Sequence, residues 1–190
     1  MIKELVTKNR SYRRFYEDHR ISYEQLYELV ELARLTPSSR NCQSLKFMLY
    51  CDAETNAQIY PLLSWAGYLP EWNGAIEGER PSAYIIILGD QRITKTFITD
   101  VGIVAQTMML GAVEKGLGGC MIGTINRREM KTSLIIPDYF EIELVLALGK
   151  PKEEVVIEDI NNDGSVKYWR DEQQVHHVPK RKMEDLIFGA

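Results

Sequence analysis

The stretch from Asp100 to Lys115 limits the folds open to this chain more than any other. Val101, Val104, Ala105, Met108, Ala112 and Val113 are spread around much of a helical circumference, so a helix here needs cover on most sides. Gly116 follows, the residue type that most easily takes the left-handed conformation ending a helix. The apolar run from Val101 to Val113 stops at Asp100 and Glu114, short of the roughly 20 residues that a bilayer span needs. It predicts the buried spine of a globular core. With 190 residues, 45% of them apolar, the chain suffices for one sizeable core and is short for two. A single domain, 1–190, is expected.

Other segments supply the layers around that spine. Ser22 with Gln25 three residues later reads as a capping box, and Leu26, Leu29, Val30 and Ala33 repeat at helical spacing until the stop before Pro37. A short helix is expected over Ile2 to Lys8. Lys46 to Tyr50, Tyr84 to Leu88, Gly119 to Ile122 and Glu141 to Leu148 read as strands, Tyr84 to Leu88 as a buried central one. A turn of Asn161, Asn162, Asp163 and Gly164 precedes an extended segment, Val166 to Trp169. Strands and helices intermingle without regular alternation, which favours an α+β sandwich over a doubly wound sheet. The polar tail after Arg170 has little core of its own and needs a surface to lie on, another subunit being one candidate.

Charge is distributed unevenly. Residues 1–20 carry six Lys or Arg against three acids, and Lys180, Arg181 and Lys182 add cations near the other end. Between Ile21 and His177 there are 14 bases against 22 acids, so the middle is −8 in a chain of net charge −4. Cations confined to short segments of an acidic protein suit a local anionic ligand better than a nucleic acid, which the remaining surface would repel. The start, MIKELVTKNR, offers no signal-like apolar stretch, and Cys42, Cys51 and Cys120 are too scattered for a disulfide framework. A cytoplasmic location is expected, and no metal site.

Four clusters could carry chemistry, one of them Val178 to Lys182, whose cations could equally belong to a disordered basic tail. Arg10, Ser11 and Arg13 combine two guanidinium forks and a hydroxyl, a dense donor set for phosphate. The alternatives are a solvated basic arm, or RNA binding with Tyr12, Phe15 and Tyr16 as stacking platforms. Pro37, Ser38, Ser39, Arg40, Asn41, Cys42 and Gln43 could pair with the edge of a heteroaromatic ring, and are equally the composition of an ordinary turn. Gly116 to Gly123 lacks the third glycine of a dinucleotide fingerprint and the lysine of a P-loop, yet Gly123 could let backbone approach a flat ligand. No nucleophile elbow is present, and His19, His176 and His177 read as surface residues. Reactive atoms would therefore belong to a cofactor.

In this order, RSYRRF, ARLTPSSRNCQ, GLGGCMIG, ALGKP and HHVPKR resemble the nitroreductase family over almost the whole chain. The resemblance implies a three-layer α-β-α sandwich with a mixed, largely antiparallel sheet, forming an intertwined homodimer with FMN at the interface. It implies that Arg10, Ser11, Arg13, Lys180 and Arg181 hold the FMN phosphate and ring edge. Pro37, Ser38, Ser39 and Asn41 would reach the flavin from the other subunit, and the backbone around Met121, Ile122 and Gly123 would bond the redox-active ring nitrogen. Where the family often continues with Gln, Pro and Trp, Gln43 is here followed by Ser44 and Leu45.

The implied activity is transfer of electron pairs from NAD(P)H through FMN to small acceptors such as nitroaromatics or quinones. A dehydrogenase or reductive dehalogenase on the same fold, and a non-catalytic nucleotide- or RNA-binding dimer, are the alternatives. Trp65, Tyr68 and Trp72, set among glycines within residues 64–81, suggest a lid on the substrate side. Residues 171–190 are expected to reach the partner subunit.

Overall fold

The computed structural model describes residues 1–162 and 164–189. Of the expected asparagine-rich turn, Asp163 lies outside the described residues, as does Ala190 at the end of the domain. The chain runs α1 (Ile2–Lys8), β1 (Phe15–Tyr16), α2 (Tyr23–Arg34), β2 (Leu45–Tyr50), α3 (Ala53–Ile59) and β3 (Ala83–Asp90). It continues through α4 (Ile98–Glu114), β4 (Gly118–Ile122), α5 (Arg127–Ser133), β5 (Phe140–Pro151), β6 (Val155–Asp159), β7 (Trp169–Arg170), β8 (His176–Lys180) and α6 (Met183–Leu186). The capping box at α2 forms as expected: Gln25 N donates to Ser22 Oγ at 3.3 Å, and Ser22 N donates to Gln25 Oε1 at 2.9 Å.

In the main sheet β5 lies between β3 and β4, and β2 lies on the far side of β3; all these pairs are antiparallel. The C-terminal end of β5 also pairs with β1, Phe15 opposite Pro151. Every residue of β3 is buried, because alternate side chains feed two cores. Ala83, Ile85 and Ile87 pack with Leu146 and Leu148 against α2 and α4. Tyr84, Ile86 and Leu88 pack with Val145 and Ala147 against Ile59, Leu62 and Met130 on the opposite face. Two helical layers thus enclose one sheet, the expected sandwich. Helices α2 and α4 approach closely at Gly111, where an added Cβ would come within 2.4 Å of Leu32 Cδ1.

Between named strands, parallel pairing lies outside that sheet. Strand β8 pairs parallel with β6 and antiparallel with β7 in a second, three-stranded sheet. The expected strand over Val166 to Trp169 is therefore shifted to Trp169–Arg170. The tail also has a core contact the sequence did not suggest: His176 and Pro179 are buried on their own chain. Residues from Lys180 to Gly189 are exposed, including Met183, Leu186 and Phe188. No helix among the described residues is long and apolar enough to cross a membrane.

Candidate functional site

The basic arm is part of the sheet. Ser11 forms a parallel bridge with Gly119 of β4, and Tyr12 N donates to Gly119 O at 2.9 Å. Arg10 Nη2 donates to Val6 O at 2.8 Å, closing the end of α1. Its Nε is buried and has no hydrogen-bond partner among the described residues. A guanidinium edge left this way is costly unless something absent from the chain accepts from it. Further along β4, Met121 is exposed, Ile122 buried and Gly123 exposed, and a Cβ on Gly123 would meet nothing within 4 Å. Neither a neighbour nor a positive φ requires glycine there.

Arg13 sits deeper, 8% exposed. Its Nη1 donates to Ser11 O at 3.1 Å and lies 3.2 Å from His176 Nε2, and its guanidinium stacks on Tyr168 at 4.7 Å. Nε and Nη2 make no hydrogen bond to a described residue. The backbone amides of Arg13 and Arg14 both donate to Glu153, whose other oxygen accepts from Arg170 Nη2 at 2.9 Å. Arg14 itself pairs with Glu79, which Lys152 also contacts, and these cations hold the Glu79 carboxyl at about 2.

The serine loop is organised from α4. Asp100, 3% exposed in the first turn, accepts from Ser39 N and Ser39 Oγ, both at 2.9 Å. Ser38 Oγ accepts from Gln43 N at 3.1 Å. Arg40, Asn41 and Gln43 have φ of 51°, 54° and 49°; non-glycine residues in this region are strained, and such strain concentrates at ligand clamps. Pro37 and Asn41 are exposed, and a groove of about 330 Å³ beside the loop is lined by Val30, Ser38, Ser44, Phe47 and Asp100.

Within one chain the expected set is not united. The serine loop leads into β2 at one edge of the sheet and Gly123 follows β4 at the other, three strand spacings or about 14 Å apart. Lys180 lies four residues along β8 from His176, which touches Arg13, so the strand carries it about 13 Å away. Lys180 and Arg181 are exposed and make no ion pair with a described residue.

The aromatic segment is anchored to its own chain. Trp65 stacks on Tyr60 at 5.5 Å. Tyr68 N donates to Tyr168 Oη at 3.2 Å, and Arg170 lies over Trp72 at 4.4 Å. Tyr168 and Arg170 therefore bridge the arginine motif and the 64–81 segment, a role sequence reading missed. The reading of His176 and His177 as surface residues is also corrected. His176 is 1% exposed, and burial beside Arg13 and Arg170 lowers its pKa to about 4. His177 Nδ1 faces Glu158 at 3.0 Å and Nε2 faces Asp171 at 3.2 Å, with Trp169 stacked on its ring. Glu158 comes from β6, and Trp169 and Asp171 from β7 and the residue after it, so no local motif announced them.

Fold and site together define a class: an α+β sandwich whose sheet carries polar ligand-binding candidates at opposite edges. The chain belongs to the nitroreductase family, whose model matches residues 6–150. A relative from Archaeoglobus fulgidus, whose name couples NADH dehydrogenase with NAD(P)H nitroreductase, is 26% identical over 149 residues, covering 74% of this chain and 80% of that protein. An iodotyrosine deiodinase from Thermotoga neapolitana is 22% identical over 168 residues, covering 80% and 90%. The solved structure of an FMN-dependent nitroreductase from Clostridium difficile R20291 superposes with a TM-score of 0.67 at 24% identity, covering 86% of this chain and 92% of that one.

Proposed function

We propose that this protein is a cytoplasmic, FMN-dependent oxidoreductase that transfers electron pairs from NAD(P)H to small acceptors such as nitroaromatics or quinones, in sites shared by two copies of the chain. The observation that carries the proposal is the arm on β4, where an unpartnered Arg10 Nε lies on the sheet edge that ends at the open Gly123. When bound, FMN would supply the redox chemistry that links a nicotinamide donor to the acceptor. Arg10 and Ser11 would hold its phosphate, with the free donors of Arg13 behind them and Lys180 and Arg181 adding charge from a tail. Backbone at Met121, Ile122 and Gly123 would bond the ring. Pro37, Ser38, Ser39 and Asn41 of a second copy would complete its polar edge. Positive charge brought near the ring by the arginine motif and the tail would favour its negatively charged reduced form. Free thiols at Cys42, Cys51 and Cys120 accord with a reducing compartment.

The purified protein should show flavin absorption that bleaches anaerobically with NADH or NADPH and returns on addition of a nitroaromatic or quinone. A colourless protein that binds no added FMN would overturn this reading; salt-sensitive RNA retention would then favour the nucleic-acid module. The deiodinase relative supports a second reading, reductive dehalogenation. Halogenated phenols in the same acceptor panel separate the two, by release of halide.

A further inference from the structure

A second site lies on the opposite side of the sheet from α2 and α4. Ala53, Asn56, Ala57 and Tyr60 fall at helical spacing on one side of α3 and its continuation, and Ser82 and Tyr84, two apart, share one face at the start of β3. Between these rows is an open cavity of about 370 Å³, lined also by Glu17, Asp18, Arg20, Glu77 and Arg80. Its size is within the range of small-molecule pockets, and the small side chains of Ala53 and Ala57 leave it room.

The polar lining is incomplete. Asn56 Oδ1, Arg80 Nε, Ser82 Oγ and Tyr84 Oη are all buried without a hydrogen-bond partner among the described residues. These are four of the nine such atoms in the described chain, gathered around one cavity. Tyr84 is 0% and Ser82 6% exposed. Asn56 is held in place by Nδ2 donating to Ser82 O at 2.8 Å, and Arg80 by stacking on Tyr60 at 4.7 Å. The set contains one obligate acceptor, one obligate donor and two hydroxyls able to act as either. Glu17, Asp18 and Glu77 outnumber Arg20 and Arg80, which disfavours an anion.

We infer that this cavity binds a small neutral amide or lactam, its N–H directed to Asn56 Oδ1 and its carbonyl accepting from Arg80 Nε and the Tyr84 hydroxyl; the Ser82 hydroxyl, able to act either way, bonds a further polar group of the ligand. The site is separate from the residues proposed to hold FMN, so it stands whether or not that reading does.

Uracil is a suitable probe, titrated into the protein as purified and followed by amide NMR shifts and thermal unfolding. Saturable shifts at Asn56, Arg80, Ser82 and Tyr84, with a rise in Tm, are expected. Tyr84→Phe should weaken uracil binding about fivefold while leaving the ligand-free Tm equal or higher, since it deletes a buried hydroxyl that lacks a partner. Ala57→Leu, which fills the cavity, should abolish the shifts while the protein remains folded. Ordered water alone on the four atoms in a crystal soaked with uracil, or shifts confined to another surface, would overturn the inference. So would uracil binding unchanged in both variants.

Discussion

His176 and His177 are neighbours with opposite electrostatic settings, which makes their contributions to stability separable by pH. His177 donates to two carboxylates only as the imidazolium, and Asp171 and Glu158 raise its pKa above the ordinary 6.5. Its contribution is full below 6.5 and is lost as pH rises through the raised value. In His177→Gln the Tm deficit relative to wild type should therefore be largest in mild acid and shrink in alkali. His176 is buried neutral at about 4, so its contribution is full above about 6.5 and lost as pH falls towards 4. His176→Phe should flatten that acid limb in a Tm–pH profile. Glu79, at about 2 between Arg14 and Lys152, is 11% exposed at its side chain. Glu79→Gln should cost about 2 kcal/mol at neutral pH by urea denaturation; an unchanged midpoint would show that the two cations find other partners.

At the scale of elements, the bridge made by Tyr168 and Arg170 joins the arm to the aromatic segment. Tyr168→Phe removes the oxygen that accepts from Tyr68 N, so hydrogen exchange at the Tyr68 amide should accelerate about fivefold. Trp72→Ala, which removes the ring that stacks on Arg170 while Arg170 keeps its bond to Glu153, should alter turnover of bulky acceptors more than small ones if the segment covers the substrate side. Unchanged turnover of every acceptor would remove the lid from consideration. The elements legible in advance were those with a local signature: the capping box of α2, the apolar circumference of α4, the unbroken run of β3. Strands β6 and β8 were not legible. Val155, Val156 and Ile157 stand among acids, and their pairing with His176 to Val178 closes a loop of about twenty residues, so nothing short in the sequence announces it. The same nonlocality hid Glu153, a buried carboxylate that binds backbone 139 and 140 residues earlier.

For the whole molecule, the decisive fact is that the arm and the serine loop lie towards opposite edges of one sheet. The residue types of both clusters were readable, and their separation was not, because strand order depends on long-range pairing. The proposed flavin site would then need a second copy, and this is testable by complementation. Arg10→Ala and Asn41→Ala proteins, each deficient in flavin, should on unfolding and refolding together regain about a quarter of the wild-type flavin content, the share of intact sites expected from random pairing of two-fold dimers. No recovery beyond the two separate proteins would mean that each site is built from a single chain. The bridge between Ser11 and Gly119 adds a consequence for affinity. An arm stitched into β-structure has already lost its freedom before any ligand arrives, so capture of a phosphate there, as proposed, would carry little ordering entropy. Cutting those stitches, rather than deleting a charge, would turn a rigid receptor into a tether and slow its loading.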